Sequence, residues 1–143
     1  MQASAAIREV EMRIFQLIVA KDGDGVMALV SQQPGTMLIG SDPREWLTSN
    51  AAIEQTVRAS VENSSGRMPD SLEILAFEEG TVGWANVRYT TTLPNGGSFL
   101  MRWTDVFHLE GGAWKQVDGH VSMGVPDDKV MSFFSPSSRA LVN

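Results

Sequence analysis

The chain contains no cysteine. Disulfides, thiolate nucleophiles and cysteine-ligated metals are therefore excluded. Histidine is scarce too, with two in 143 residues. His108 and His120 lie on separate strand-like runs with no acidic cluster beside them, so no metal is expected. Basic residues number 11 against 17 acids, giving a net charge of -6. No basic stripe appears, which argues against a nucleic-acid partner. No stretch is long and apolar enough for a membrane span. The opening M-Q-A-S-A-A-I-R-E-V-E lacks the basic-then-apolar order of a secretory signal. The expectation is a cytoplasmic protein with no membrane partner. Gly96-Gly97 and Gly111-Gly112 read as turns, and neither a phosphate loop nor a G-x-S-x-G elbow is found.

What is present suits one globular domain. Hydrophobic residues make up 43% and charged residues 20%, an ordinary balance for a packed core. The domain is expected over 1–125, with 126–143 as a tail packing on the domain or on a partner subunit through Val130, Met131, Phe133 and Phe134. Ile7, Val10, Ile14, Leu17 and Ile18 recur at helical spacing, predicting a helix from Ala3 to Asp22 with Arg8, Glu11 and Lys21 off its apolar stripe. A shorter helix is expected from Asp24 to Gln32, then a short strand from Thr36 to Gly40. In S-D-P-R-E-W, Asp42, Pro43 and Glu45 have the spacing of a capping box, so Asp42 reads as a helix cap. Ile53, Val57 and Val61 extend a third helix over roughly Asn50 to Asn63.

Beyond Ser64-Ser65-Gly66 the pattern changes to strands. Leu72–Glu79, Thr81–Leu93, Phe99–Leu109 and Trp114–Met123 are rich in strand formers. Pro94-Asn95-Gly96-Gly97 and Glu110-Gly111-Gly112 mark hairpins. Helices first and strands later predict an α+β domain: a curved antiparallel sheet of about four to six strands over three N-terminal helices.

This order resembles the SnoaL-like branch of the nuclear-transport-factor-2-like superfamily. The carrying residues are I-G-S-D-P-R-E-W and the ending H-L-E-G-G-A-W-K-Q-V-D-G-H-V-S. The resemblance implies a cone-shaped cavity between sheet and helices, and chemistry on ketone-bearing compounds without a cofactor. It also implies one acid at Asp105 and a second on or near Gly119, where this chain has Asp118 just before. The fold hosts isomerases, cyclases, dehydratases, hydrolases and binding modules, so the resemblance does not fix an activity.

Asp105 shares strand parity with Met101, Trp103 and Phe107, an otherwise apolar face. It is either a cavity carboxylate with a raised pKa, able to act as a base, or a structural acid paired with an arginine. If Pro94 pairs with Gly97, Arg88 faces Trp103, Asn86 faces Asp105, and Arg88 lies diagonal to Asp105. Asp118 and His120 are candidate acid–base partners. A two-residue Glu-Gly-Gly turn puts them on the Asp105 face, and a three-residue turn puts Val117, Gly119 and Val121 there. The structural reading of His120 and Ser122 is that they satisfy backbone groups or sit at an interface. Trp46, Trp84, Asn86, Arg88, Trp103 and Phe107 are candidate ligand contacts, although such tryptophans are more often plain core. The function expected is binding of a small hydrophobic molecule, with proton-transfer chemistry on a carbonyl compound as its extension. A ligand-sensing or dimerisation module is the alternative. Apolar residues on both sheet faces predict a homodimer through the sheet.

Overall fold

A computed structural model describes residues 1–92, 95–132 and 134. Helix α1 (Ala5–Val19) starts where Ser4 Oγ accepts the Ile7 amide at 3.1 Å, satisfying one orphan donor of the first turn. Asp22 does the same for Gly25 at the start of α2 (Gly23–Leu29), and Ser49 for Ala52 at the start of α3 (Asn50–Glu62). The strands are β1 (Gln2–Ala3), β2 (Met37–Ile39), β3 (Trp46–Leu47), β4 (Ser71–Glu79), β5 (Val82–Thr92), β6 (Ser98–Glu110) and β7 (Ala113–Met123). A short α4 (Asp127–Ser132) follows.

The seven strands among the described residues form one sheet in the order β1-β4-β5-β6-β7-β2-β3. The long β4–β7 meander is antiparallel as expected. Three features exceed the expectation: β1 and β3 add two-residue edges, and β2 lies parallel to β7, with Leu38 opposite Gly119. Two-residue strands leave no periodicity in a sequence, which is why they are not legible there. The sheet's inner face packs on α1. Ile7, Ile14 and Phe15 meet Ile74, Ala85, Val87 and Phe107, all nearly or wholly buried. Each of the Ile, Val and Phe side chains contributes roughly 1.5–3 kcal/mol by leaving water. A second cluster, Leu17, Val26 and Val61, ties the three helices together.

The S-D-P-R-E-W segment is not a helix start. It turns the chain between β2 and β3. Only half of the capping box forms: Asp42 N donates to Glu45 Oε2, while Asp42 Oδ1 accepts from Arg44 N and not from Glu45 N. No helix follows, because Trp46 and Leu47 pair back onto Ile39 and Leu38. Arg44 also clamps the exposed Asp42 carboxylate and lowers its pKa to about 2.

Two register findings position the site. Thr92 pairs with Ser98, so Val87 faces Trp103, Arg88 faces Arg102 and Ala85 faces Asp105. The expected β5–β6 register is off by one residue, because the connection spans 93–97. The Pro94 end of the expected pairing lies outside the described residues. At the other hairpin Glu110 pairs with Ala113 across Gly111 and Gly112. Both glycines have positive φ, 56° and 84°, as a type I′ turn requires. A bulge then intervenes. Phe107 pairs with Gln116 but Val106 pairs with Asp118, leaving Val117 as the extra residue. The two-residue turn is therefore correct, yet beyond Val117 the parity reverses. Gln116, Gly119 and Val121 join the inner face with Asp105 and Trp103. Asp118, His120 and Ser122 fall on the outer ladders, opposite Val106, Thr104 and Arg102.

The described part of the tail packs little: no α4 residue is buried, and Val130, Met131 and Phe134 are exposed. Phe133 and residues 135–143 lie outside the described residues.

Candidate functional site

A hollow of about 240 Å³ opens between the sheet and the helices. Its walls are mostly apolar. Helix α1 supplies Ile14 and Ile18, α2 Val26, and α3 Thr56, Val57, Ser60 and Val61. The β2–β3 region gives Leu38 to Ser41, Glu45 and Leu47, and the sheet closes the floor with Trp103, Gln116, Gly119 and Val121. An apolar cavity of about 150 Å³ holds a benzene ring, so this one suits one or two rings.

Asp105 lies directly behind that floor, fully buried. Trp103 Nε1 and Gln116 Nε2 both donate to its Oδ1, each at 2.6 Å. Gly119 makes the arrangement possible. A side-chain carbon there would stand 2.7 Å from Asp105 Oδ1 and 2.7 Å from Gln116 Nε2. The resemblance places a second acid on or near this residue. Here that space belongs to the Asp105–Gln116 pair.

The second acid comes from α1 instead. Glu11 is fully buried beside Asp105. Its pKa is pushed well above the usual carboxylate range, by burial first and by the negative Asp105 second. Asp105 itself is raised to about 6, chiefly by burial, while hydrogen bonds from Glu11, Gln116 and Trp103 pull it back down. As an anion, Glu11 would have two sealed oxygens with no donor, and Asp105 Oδ2 would be equally bare. One proton resolves this. Neutral Glu11 donates to Asp105, and Asp105 is the anion that collects three donors. Like charges buried side by side cannot both persist. Glu11 escaped sequence reasoning although a signal existed: it stands four residues after Ile7 and three before Ile14, on the buried stripe rather than off it.

The other candidates separate. Trp103 lines the hollow, with its ring 5.3 Å from that of Phe15. Phe107 is fully buried core and takes no part in the wall. Trp84 stacks on Phe77 on the outer face, ring centroids 6.0 Å apart. Asn86 is also outside, accepting from Thr104 Oγ1 at 3.2 Å. Arg88 pairs with Glu73 at 2.6 Å on that face, so it cannot be the diagonal partner of Asp105. Trp46 is 65% exposed on an edge strand. His120 is exposed, and Asp118 keeps one sealed, unpartnered oxygen. The structure thus brings together Trp103, Asp105, Gln116, Gly119 and Glu11, keeps Asp118 near enough for its charge to raise Asp105 as well, and disperses the rest.

Among the described residues no group of three histidine, aspartate or glutamate side chains is placed to hold a metal ion. No helix among them is long and apolar enough to cross a membrane.

A curved, unclosed sheet lidded by N-terminal helices around a buried acid defines the cone-shaped α+β class. Residues 7–126 match the model of the SnoaL-like domain family, and the chain belongs to that family. No curated protein matches the sequence. Solved structures show the same fold. An NTF2-like protein of unknown function from Pseudomonas putida KT2440 superposes with a TM-score of 0.74 at 17% identity, over 89% of this chain and 93% of that one. A candidate calcium/calmodulin-dependent protein kinase type II association domain from Thiobacillus denitrificans gives 0.69 at 15% identity, over 87% and 100%. A candidate dehydratase of the NTF2-like family from Streptomyces avermitilis gives 0.66 at 10% identity, over 85% and 95%.

Proposed function

We propose that the protein binds a compact, mainly apolar small molecule in the hollow above Asp105. One observation carries this: a 240 Å³ apolar cavity whose floor, Trp103 and Gln116, is held in place by a buried carboxylate. Few polar groups set in apolar walls is the usual make-up of a ligand site. The test is calorimetric titration with indane, a two-ring hydrocarbon of suitable size, against the wild type and Val121→Phe. Micromolar to millimolar binding by the wild type, lost when the new ring fills the hollow, supports the reading. Equal binding or none refutes it.

Proton transfer to or from the bound molecule is the second reading. Its support is that Asp105 titrates near 6 and touches the floor residues, the range a general base needs. Against it, Oδ1 already accepts two donors and Oδ2 is sealed from solvent. Binding without turnover is therefore the reading the geometry favours. The candidate dehydratase of the same fold supports the second reading only at the level of the fold.

The protein is further proposed to pair with a second copy through the outer sheet face. Leu75 and Leu100 are 53% and 43% exposed there, Leu75 two residues from Phe77 of the Phe77–Trp84 stack.

A further inference from the structure

We propose that the hollow selects an apolar alcohol, a molecule that offers a hydrogen-bond donor and carries no charge, and that Gln116 Oε1 receives its hydroxyl. The inference rests on the reading that the hollow is a ligand site, and it names the ligand's chemistry.

The floor side chains offer few donors: the Trp103 indole N–H and the two N–H groups of the Gln116 amide. Trp103 Nε1–H and one Gln116 N–H point at Asp105 Oδ1, and the Glu11 proton points at the same carboxylate. The carboxylate also fixes the Gln116 amide. Rotating it by half a turn would set Oε1 against an anion, acceptor facing acceptor. So Nε2 must face Asp105 and Oε1 must face away. Gln116 is 4% exposed and forms part of the cavity wall. Its Oε1 accepts no hydrogen bond among the described residues, yet it is not one of the atoms sealed from solvent. A nearly buried side chain thus presents an open acceptor to the hollow.

Charge narrows the choice further. Among the described residues, Glu45 is the one ionisable side chain in the wall, and no Lys or Arg lines it. An acidic ligand would meet Glu45 and, behind the floor, Asp105, with no cation to offset them. An ammonium ligand would have to shed its water against Ile14, Ile18, Val57 and Val121, which is costly without a buried ion pair. A ketone oxygen set against Gln116 Oε1 would put two acceptors together with no proton between them, leaving it only the Ser41, Thr56 and Ser60 hydroxyls elsewhere in the wall. A neutral hydroxyl meets none of these penalties.

The experiment is isothermal titration at pH 8 with five compounds on one two-ring frame: indane, 1-indanol, 1-indanone, 1-aminoindane and indane-1-carboxylate. The expected result is 1-indanol binding at least tenfold more tightly than 1-indanone, and more tightly than the other three, since an unmet buried polar group weakens binding by roughly tenfold to a hundredfold. Gln116→Met, an apolar replacement of similar length, should erase the advantage of the alcohol over indane while indane still binds. The inference is overturned if the ketone, amine or acid matches the alcohol, or if Gln116→Met keeps the preference. The wild-type series decides the matter even where the variant fails to fold. If indane binds and the alcohol gains nothing, this inference alone fails. If none of the five binds, the ligand-site reading fails with it.

Discussion

Glu11 on the first helix and Asp105 on the sixth strand meet in the interior as a carboxylic acid and a carboxylate sharing one proton. The pair joins the helical layer to the sheet under the hollow. It also fixes the direction of the Trp103 indole and the Gln116 amide, and so the polarity of the floor.

Replacing Glu11 tests that sharing. Glu11→Gln keeps a donor toward Asp105 and should change stability by about 1 kcal/mol or less. Glu11→Ala removes the donor and leaves a void beside a buried anion. It should cost about 2–5 kcal/mol. Chemical denaturation at pH 7 measures both, and equal losses would contradict the assignment of the proton to Glu11.

Both acids titrate above their ordinary range in the folded chain, Asp105 at about 6 instead of 3.8 and Glu11 higher than usual. The native state therefore keeps protons that the unfolded chain has already released, and stability falls where the native state binds more protons. The pair's contribution is complete below about pH 4 and declines as pH rises through about 6. The stability difference between wild type and the Glu11→Gln/Asp105→Asn double variant isolates this slope from the exposed acids. A difference independent of pH from 4 to 8 would refute it.

At Gly119 the added methyl of alanine would meet Asp105 Oδ1 and Gln116 Nε2 at 2.7 Å and Leu38 Cδ2 at 2.9 Å. These groups are packed and hydrogen-bonded, so they cannot swing aside freely. Gly119→Ala should cost about 1–3 kcal/mol and weaken indane binding at least tenfold. A fully stable variant with unchanged binding would show that the floor is loosely held.

Trp103→Phe keeps a ring against Phe15 but removes the indole N–H that Asp105 accepts. The expected loss is about 1–3 kcal/mol, with Asp105 titrating higher than its wild-type value because a donor to its charged form is gone. Carboxyl carbon shifts followed by NMR across the pH range read that change directly.

Pairing through the sheet predicts a dimer at micromolar concentration by sedimentation. Leu75→Lys should shift it toward monomer without moving the denaturation midpoint of the monomer, since Leu75 lies 53% exposed. A wild-type monomer at those concentrations rules out the pairing.

The amino-acid pattern was sufficient for the architecture. Apolar residues three and four apart gave α1 and α3, alternating β-formers gave the meander, and Asn-Gly and Gly-Gly placed its turns. Asp105 was legible too, as the one acid on an apolar strand face. The two-residue edges were not, nor was the parallel β2–β7 pairing, since such short runs carry no period.

Which side chains share a face was decided only on folding. One extra residue, Val117, bulges from β7 and turns Asp118 and His120 outward while bringing Gly119 inward. A one-residue difference in the β5–β6 connection separates Arg88 from Asp105. The partner of Asp105 lies on the first helix, far along the chain, and no local spacing encodes a contact between helix and sheet. Periodicity is a property of neighbours in sequence, whereas strand register and buried charge pairing depend on single-residue offsets between distant segments, and those exist only once the layers have closed on each other.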